Sequence, residues 1–211
     1  MSEHADKPRR QSPLIQIDFN ARDSGWQNVN RDSLCVQEVP FLGYLNLRGS
    51  PASQSFMTAA QKVLTISLPT AANTLVVVGD VHILWLGPQE WLIITPEDQI
   101  NTLLGELQSA LQDVFSAVTD ISGGNTMLEI SGSVATELMC KGSTIDFHST
   151  MLPVGGCAQT LFAMTNVAIY PYDQTLGQQF AQRSGYRLIV RRSFADYLGH
   201  WLTEAAKEFF I

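Results

Sequence analysis

The sequence predicts an α+β protein with two related halves, each an antiparallel sheet with helices packed on one face. Three observations support this fold class. Strand-like and helix-like stretches follow one another along the chain, two apolar runs near residues 81–94 form a hairpin, and the second half repeats short motifs of the first. Antiparallel sheets with helices on one side are the natural architecture for this order of elements.

The hairpin at 84–95 reads Leu-Trp-Leu-Gly-Pro-Gln-Glu-Trp-Leu-Ile-Ile-Thr. Two apolar runs, 81–86 and 91–94, flank a four-residue break. Pro88 has its φ angle fixed for the second position of a tight turn. Because both runs are almost continuously apolar, we expect these strands to lie in the interior of a sheet.

Two pairs of motifs repeat. Leu-Asn-Leu-Arg-Gly-Ser-Pro-Ala at 45–52 is echoed by Leu-Glu-Ile-Ser-Gly-Ser-Val-Ala at 128–135, and Leu-Ile-Ile-Thr at 92–95 by Leu-Ile-Val-Arg at 188–191. The offsets of 83 and 96 residues differ by 13, which indicates an insertion, most simply in 142–157. We therefore divide the chain into an N-terminal arm (1–33), a first half (34–122) and a second, intertwined half (123–211).

The remaining elements follow from periodicity and turn residues. Strands are predicted at 14–19, 34–39, 44–48, 75–78, 115–121, 127–130, 158–164, 167–170 and 186–191. Helices are predicted from 51 to 63, from 96 to 114, from 134 to 141 and from 193 to 209. Ser50 is expected to cap the first helix, with Pro51 at its first position.

Two of these helices have apolar stripes that predict a face toward the core. In the helix that begins near 96 the stripe is Ile100, Leu103, Leu104, Leu107 and Leu111. In the last helix it is Phe194, Tyr197, Leu198, Trp201, Leu202, Ala205 and Phe209.

The first 33 residues have few apolar side chains. Residues 1–13 are polar and contain no apolar segment of the kind found in signal peptides. Trp26 stands alone in a polar stretch, where an aromatic residue either packs locally or anchors in another surface. We expect residues 1–33 to contribute little to the core and to dock on another subunit.

Charge excludes some functions. The 211 residues include 13 Lys and Arg against 20 Asp and Glu, a net charge of −7 without a basic stripe, which argues against nucleic acid. Charged residues make up 16% of the chain, below the ~25% typical of soluble domains. Such a surface is easily buried against a partner. No apolar run reaches the ~18 residues that a membrane span needs, so we expect a cytoplasmic protein.

The residues that could carry chemistry are few and scattered. Cys157 follows two glycines but has no base beside it in the sequence, so a packed thiol is expected. Asp146 and His148 could form an acid–base pair, and a loop contact is the alternative. The pairs Gly123-Gly124 and Gly155-Gly156 lack phosphate-binding spacing and predict turns. We predict no catalytic, cofactor-binding or metal-binding residues; the long loop 142–156 is a candidate interface.

Four stretches, in order, carry a resemblance to a known family. They are Trp-Leu-Gly-Pro-Gln-Glu-Trp-Leu at 85–92, Thr-Asp-Ile-Ser at 119–122 leading to Leu-Glu-Ile-Ser-Gly at 128–132, Gly-Cys-Ala-Gln-Thr-Leu at 156–161, and Arg-Ser-Phe-Ala-Asp-Tyr-Leu at 192–198. Together they resemble the γ subunit of heterotetrameric sarcosine oxidase. That resemblance implies a fold like the folate-binding domain of aminomethyltransferases and a non-catalytic role beside α, β and δ subunits.

The resemblance also implies what the complex does. It oxidises sarcosine to glycine, forms methylene-tetrahydrofolate or formaldehyde, and reduces oxygen to peroxide. FAD, FMN, NAD and tetrahydrofolate are then expected on the large subunits, with none on this chain.

One alternative is a stand-alone folate-binding protein of the aminomethyltransferase type. Gly-Cys-Ala-Gln at 156–159 faintly resembles a motif of that family, but the preceding lysine and an internal glycine are missing. This alternative requires acidic and aromatic residues that converge on a pocket between the two halves. A further alternative is an unrelated adaptor with the same fold.

Overall fold

The computed structural model describes residues 10–17, 19, 26, 30, 32–173 and 184–210. Its strands are β1 (Cys35–Val39), β2 (Gly43–Gly49), β3 (Leu75–Val78), β4 (Val81–Gly87), β5 (Glu90–Thr95), β6 (Ser116–Asp120), β7 (Asn125–Ser131), β8 (Ala158–Phe162), β9 (Thr165–Tyr172) and β10 (Gly185–Arg191). Its helices are α1 (Gln54–Leu64), α2 (Ile100–Ala110), α3 (Ala135–Gly142) and α4 (Arg192–Ala206). None of the described helices is long and apolar enough to cross a membrane.

The strands form two five-stranded antiparallel sheets. The first sheet has the order β3-β4-β5-β2-β6, and the second has the order β1-β7-β10-β9-β8. The predicted hairpin forms β4 and β5, with Trp85 opposite Trp91, and both strands lie inside the first sheet. The α+β class with two antiparallel sheets and packed helices is therefore confirmed.

The sheets face each other, and helices cover their outer faces. Helices α1 and α2 pack on the first sheet through Phe56, Leu107 and their neighbours, whereas α4 packs on the second through Leu198 and Leu202. Between the sheets, Leu84, Leu92 and Ile94 meet Met127, Cys157, Tyr170 and Ile189. Both faces of each sheet are buried, which explains why the central strands lack polar alternation.

One strand crosses the division proposed from the sequence. The first sheet is built from β2 to β6, and the second from β7 to β10 together with β1, whose Val36 lies opposite Ile130. The division into 34–122 and 123–211 remains a prediction. Strand β1 belongs to the first of these ranges but pairs with β7 in the second sheet, so it joins the two halves.

One predicted strand and the ends of two predicted helices differ from the structure. Residues 13–16 form a turn instead of a strand, with Ile17 N bonded to Leu14 O at 2.8 Å. Helix α1 begins three residues later than expected, because Ser53 and not Ser50 accepts a bond from the N–H of Phe56. A 3₁₀ turn at Glu97–Gln99 precedes α2, which ends at Ala110 instead of near 114.

The predicted apolar stripe of the last helix is confirmed for five of its seven residues, because Leu198 and Leu202 are buried and Trp201, Ala205 and Phe209 are partly buried against the same core. Ala195, Leu198, Gly199, Leu202 and Ala206 are buried, whereas Phe194 and Tyr197 are exposed. The reason is a close approach at Gly199, where an added Cβ would lie 2.6 Å from Ile17 Cδ1. Small residues let another segment of the chain come near the helix on this side, and Phe194 and Tyr197 lie outside the face that it covers.

That segment is the N-terminal one, which the sequence predicts to contribute little to the core. Leu14, Phe19 and Trp26 are buried in the same cluster as α4, and the Trp26 ring meets Phe19 and Phe210 edge-on. The expectation that residues 1–33 contribute little to the core is therefore wrong for these three side chains. Residues 1–9 and most of 20–31, also assigned to the arm, lie outside the described residues.

Candidate functional site

A row of polar side chains crosses the inner face of the second sheet. Gln37 lies opposite Glu129, Glu129 opposite Arg187, and Arg187 opposite Tyr170, on strands β1, β7, β10 and β9. Directly opposed residues in antiparallel strands hold their side chains next to one another. Together with Tyr172 of β9 and His82 of the first sheet, this row forms what we call the inter-sheet cluster.

The cluster centres on a buried ion pair. Arg187 and Glu129 are 3% and 2% exposed, and Nε and Nη2 of Arg187 each lie 2.7 Å from Glu129 Oε1. Gln37 Nε2 donates to the other carboxylate oxygen at 2.7 Å. Because both oxygens and the guanidinium have partners, the two charges are compensated inside the protein.

His82 connects this ion pair to the first sheet. Its Nε2 lies 3.3 Å from Nη1 of Arg187, and its Nδ1 lies 3.3 Å from the Tyr170 hydroxyl. A guanidinium can only donate, so Nε2 is the acceptor and Nδ1 holds the proton of a neutral imidazole. Burial first, and then the charge of Arg187, lowers the pKa of His82 to about 3.

The tyrosines of the cluster are neutral phenols. The Arg187 guanidinium lies 4.7 Å from the centre of the Tyr172 ring, a cation–π contact. Burial raises the pKa of Tyr172 to about 12 and raises that of Tyr170 as well. Tyr44, on the facing sheet, is 1% exposed, and its hydroxyl has no hydrogen-bond partner among the described residues.

These contacts make the cluster a link between the two sheets. The carboxylate is paired, the imidazole is neutral with both nitrogens engaged, and Glu129, Arg187 and His82 are shielded from solvent. A group that exchanges protons with a substrate must reach it and titrate near the working pH. What the geometry supports is a hydrogen-bonded connection from His82 of the first sheet to Arg187 and Tyr170 of the second.

Acid should weaken this connection through His82. The folded pKa of about 3 lies below the unfolded value of 6.5, so the unfolded state binds more protons and stability falls as pH drops below 6.5. Between pH 7 and pH 5 the contribution of His82 to the free energy of unfolding should decrease by about 2 kcal/mol. Urea unfolding at both pH values, compared between wild type and His82→Gln, measures it. An equal pH dependence in both proteins would contradict this assignment.

The residues singled out from the sequence lie elsewhere. Cys157 is buried between the sheets with its thiol 3.4 Å from Thr74 O, and burial raises its pKa to about 11. Asp146 Oδ1 accepts from the backbone N–H of His148, whose ring contacts Thr150, so the two side chains bond separately on an exposed loop. The absence of catalytic, cofactor-binding and metal-binding roles remains a prediction.

The glycine pairs lie in turns, as predicted. Gly123 and Gly124 belong to a 3₁₀ turn before β7, and Gly155 has a positive φ of 89°. The loop that contains Gly155 joins the first sheet, since Leu75 N donates to Gly155 O at 2.9 Å. In the ranges the structure describes, no three His, Cys, Asp or Glu side chains lie close enough to hold a metal ion.

Sequence reasoning missed the inter-sheet cluster, although a signal exists. The two charged members of the second sheet have apolar neighbours in the sequence: Glu129 lies between Leu128 and Ile130, and Arg187 precedes Leu-Ile-Val. In a sheet covered on both faces such residues need a buried partner of opposite charge. When two such residues of opposite charge lie on neighbouring strands, an ion pair between them can be predicted, provided that the strand order is known.

Solved structures first define the class of fold. An aminomethyltransferase T of the glycine cleavage system from Bartonella henselae matches with a TM-score of 0.62 and 9% identity, covering 85% of this chain and 47% of that one. This likeness shows the fold alone. The two-sheet core is thus of the aminomethyltransferase type.

Sequence relatives then give the family. The model of the sarcosine oxidase gamma subunit family matches residues 48–208. The sarcosine oxidase subunit gamma of Corynebacterium sp. strain P-1 is 32% identical over 186 residues, covering 87% of this chain and 85% of that protein. A chain of the heterotetrameric sarcosine oxidase from Corynebacterium sp. U-96, in complex with pyrrole 2-carboxylate, matches with a TM-score of 0.81 and 27% identity, covering 96% of this chain and 97% of that one. This chain belongs to the sarcosine oxidase gamma subunit family.

Proposed function

We propose that the chain is a non-catalytic structural subunit of a cytoplasmic heterotetrameric sarcosine oxidase, in which it binds α, β and δ subunits. The observation that carries this proposal is the likeness to a chain of such a complex over 96% of the present chain. The inter-sheet cluster supports it, because its charged groups pair with one another and leave no free acid or base. FAD, FMN, NAD and tetrahydrofolate belong to the large subunits in this proposal.

The folate-binding alternative meets part of its requirement. An acidic residue, Glu129, and two aromatic residues, Tyr170 and Tyr172, do surround Arg187 on the second sheet. Arg187 occupies the space among them, paired with the carboxylate and stacked on one ring. A folate would have to displace this guanidinium and leave a buried carboxylate unpaired, which is costly. We therefore favour the structural role.

The test compares the isolated chain with the assembled complex. Co-expression with the other three subunits from the same source should yield a complex that retains this chain through gel filtration and oxidises sarcosine. The isolated chain should show no flavin absorbance, no oxygen consumption with sarcosine and no heat of binding on titration with tetrahydrofolate. Saturable tetrahydrofolate binding or turnover by the isolated chain would favour the alternative.

A further inference from the structure

Strand β6 leaves one edge of the first sheet open. Its partner is β2, with Leu47 opposite Val118, and within the described ranges no strand pairs with its other side. In an antiparallel pair, successive residues point their N–H and C=O groups alternately toward the partner strand and away from it. Because Ile121 N donates to Tyr44 O at 2.9 Å, Ile121 and every second residue before it point toward β2. The N–H and C=O groups of Ser116, Val118 and Asp120 therefore point away from β2, toward the open side.

A fully exposed phenylalanine stands at the start of this edge. Phe115 has 101% of its reference surface in contact with solvent, whereas Phe41 and Phe194, the other exposed phenylalanines among the described residues, reach 42% and 47%. An aromatic side chain of this size contributes a large burial energy when it is covered. Beside it lies a groove of about 930 Å³ whose walls include Gly49, Pro88 and Ala117. We call this site the Phe115 groove.

The charges around the groove favour one kind of occupant. Arg48, the basic residue of the groove wall, is paired with Glu90 at 2.9 Å, so its charge is offset locally. The exposed Asp120 is the last residue of β6, and the exposed Asp113 lies three residues before the strand begins. A segment that carries basic residues beside an apolar anchor would complement this edge.

We infer that β6 and the Phe115 groove form a docking site for an extended, basic segment of a large subunit of the oxidase. This inference rests on the proposed function. The segment adds a sixth strand to the first sheet through the outward N–H and C=O groups of β6 and packs an apolar side chain against Phe115. A second copy of this chain fits less well, because each copy has a net charge of −7 and a β6–β6 pair would gather four carboxylates, Asp113 and Asp120 of both copies, at one seam.

The experiment measures assembly with the co-expressed α, β and δ subunits. Phe115→Ser should weaken association of this chain with the large subunits at least tenfold, since buried aromatic anchors dominate interface energies. Its thermal melting alone should stay within about 2 °C of wild type, because the Phe115 side chain is not buried in the free chain. Phe194→Ser, which removes an exposed phenylalanine from α4, is the matched control and should assemble normally.

A second pair of variants tests the main-chain part of the site. Val118→Pro removes an N–H group that points outward and makes no hydrogen bond to β2. Val118→Ala is the control for the loss of the valine side chain. Only the proline variant should weaken assembly. Normal assembly of Phe115→Ser, an equal loss in Phe194→Ser, or a wild-type homodimer that Phe115→Ser dissociates would each overturn the inference. Failure of the wild-type chain itself to assemble would instead contradict the proposed function.

Discussion

Arg187→Met is expected to lower the free energy of unfolding by about 3–5 kcal/mol. The guanidinium is 3% exposed and makes two 2.7 Å contacts with Glu129. Methionine fills much of the same volume but carries no charge, so the carboxylate would stay buried without its partner. The contact with His82 Nε2 would be lost at the same time. Urea unfolding monitored by circular dichroism at pH 7 measures the change.

Two further variants separate the charge effect from packing. Arg187→Met combined with Glu129→Leu removes both charges. This double variant should recover most of the lost free energy of unfolding, because apolar groups of similar size can replace a buried ion pair. A double variant as unstable as Arg187→Met alone would show that packing, and not charge, determines the effect.

Tyr44→Phe is the control in the facing sheet. Its hydroxyl has no partner among the described residues, so removing it should leave the free energy of unfolding unchanged or raise it slightly.

The sequence predicts the fold well where local patterns determine it. The hairpin of β4 and β5 emerges from apolar runs around Pro88, and the repeated motifs place β2 and β7 in equivalent positions before their helices. Each of these signals lies within a short stretch of the chain, so the sequence of that stretch is enough to predict the element. Helix starts are less well determined, because Ser50 and Ser53 are equally good caps by sequence and only the bond to Phe56 N selects between them.

The cluster and the N-terminal packing could not be predicted in the same way, because both depend on contacts between distant residues. Arg187 meets His82 across 105 positions of the chain, and Trp26 meets Thr203 across 177. No periodicity connects such pairs. Two residues of the stripe on α4 are wrong for the same reason: helical spacing favours Phe194 and Tyr197, but the segment around Leu14 and Ile17 covers Gly199 instead.

The N-terminal packing leads to the second large effect, at Trp26. This side chain is 6% exposed and buried in the cluster that includes α4, and its Nε1 lies 3.3 Å from Thr203 Oγ1. Replacing a buried tryptophan with alanine costs about 3–5 kcal/mol. For a chain of this size that corresponds to a fall of roughly 10 °C in the melting temperature. Thermal melting of Trp26→Ala, followed in the near ultraviolet, measures it, and Trp26→Phe is the conservative control.

Deletion of residues 1–33 should destabilise the isolated chain at least as much as Trp26→Ala. The deletion removes Leu14, Phe19 and Trp26 together, and each fully buried large side chain contributes about 1.5–3 kcal/mol before entropy is subtracted. It would also uncover the face of α4 around Gly199, where Leu14 and Ile17 approach the helix. An arm that packs only on another subunit predicts the opposite result, a truncated chain that melts at the temperature of the parent. Because Trp26→Ala leaves residues 1–25 in place, a large effect of the deletion with a small effect of the point variant would assign the stability to Leu14 and Phe19 instead.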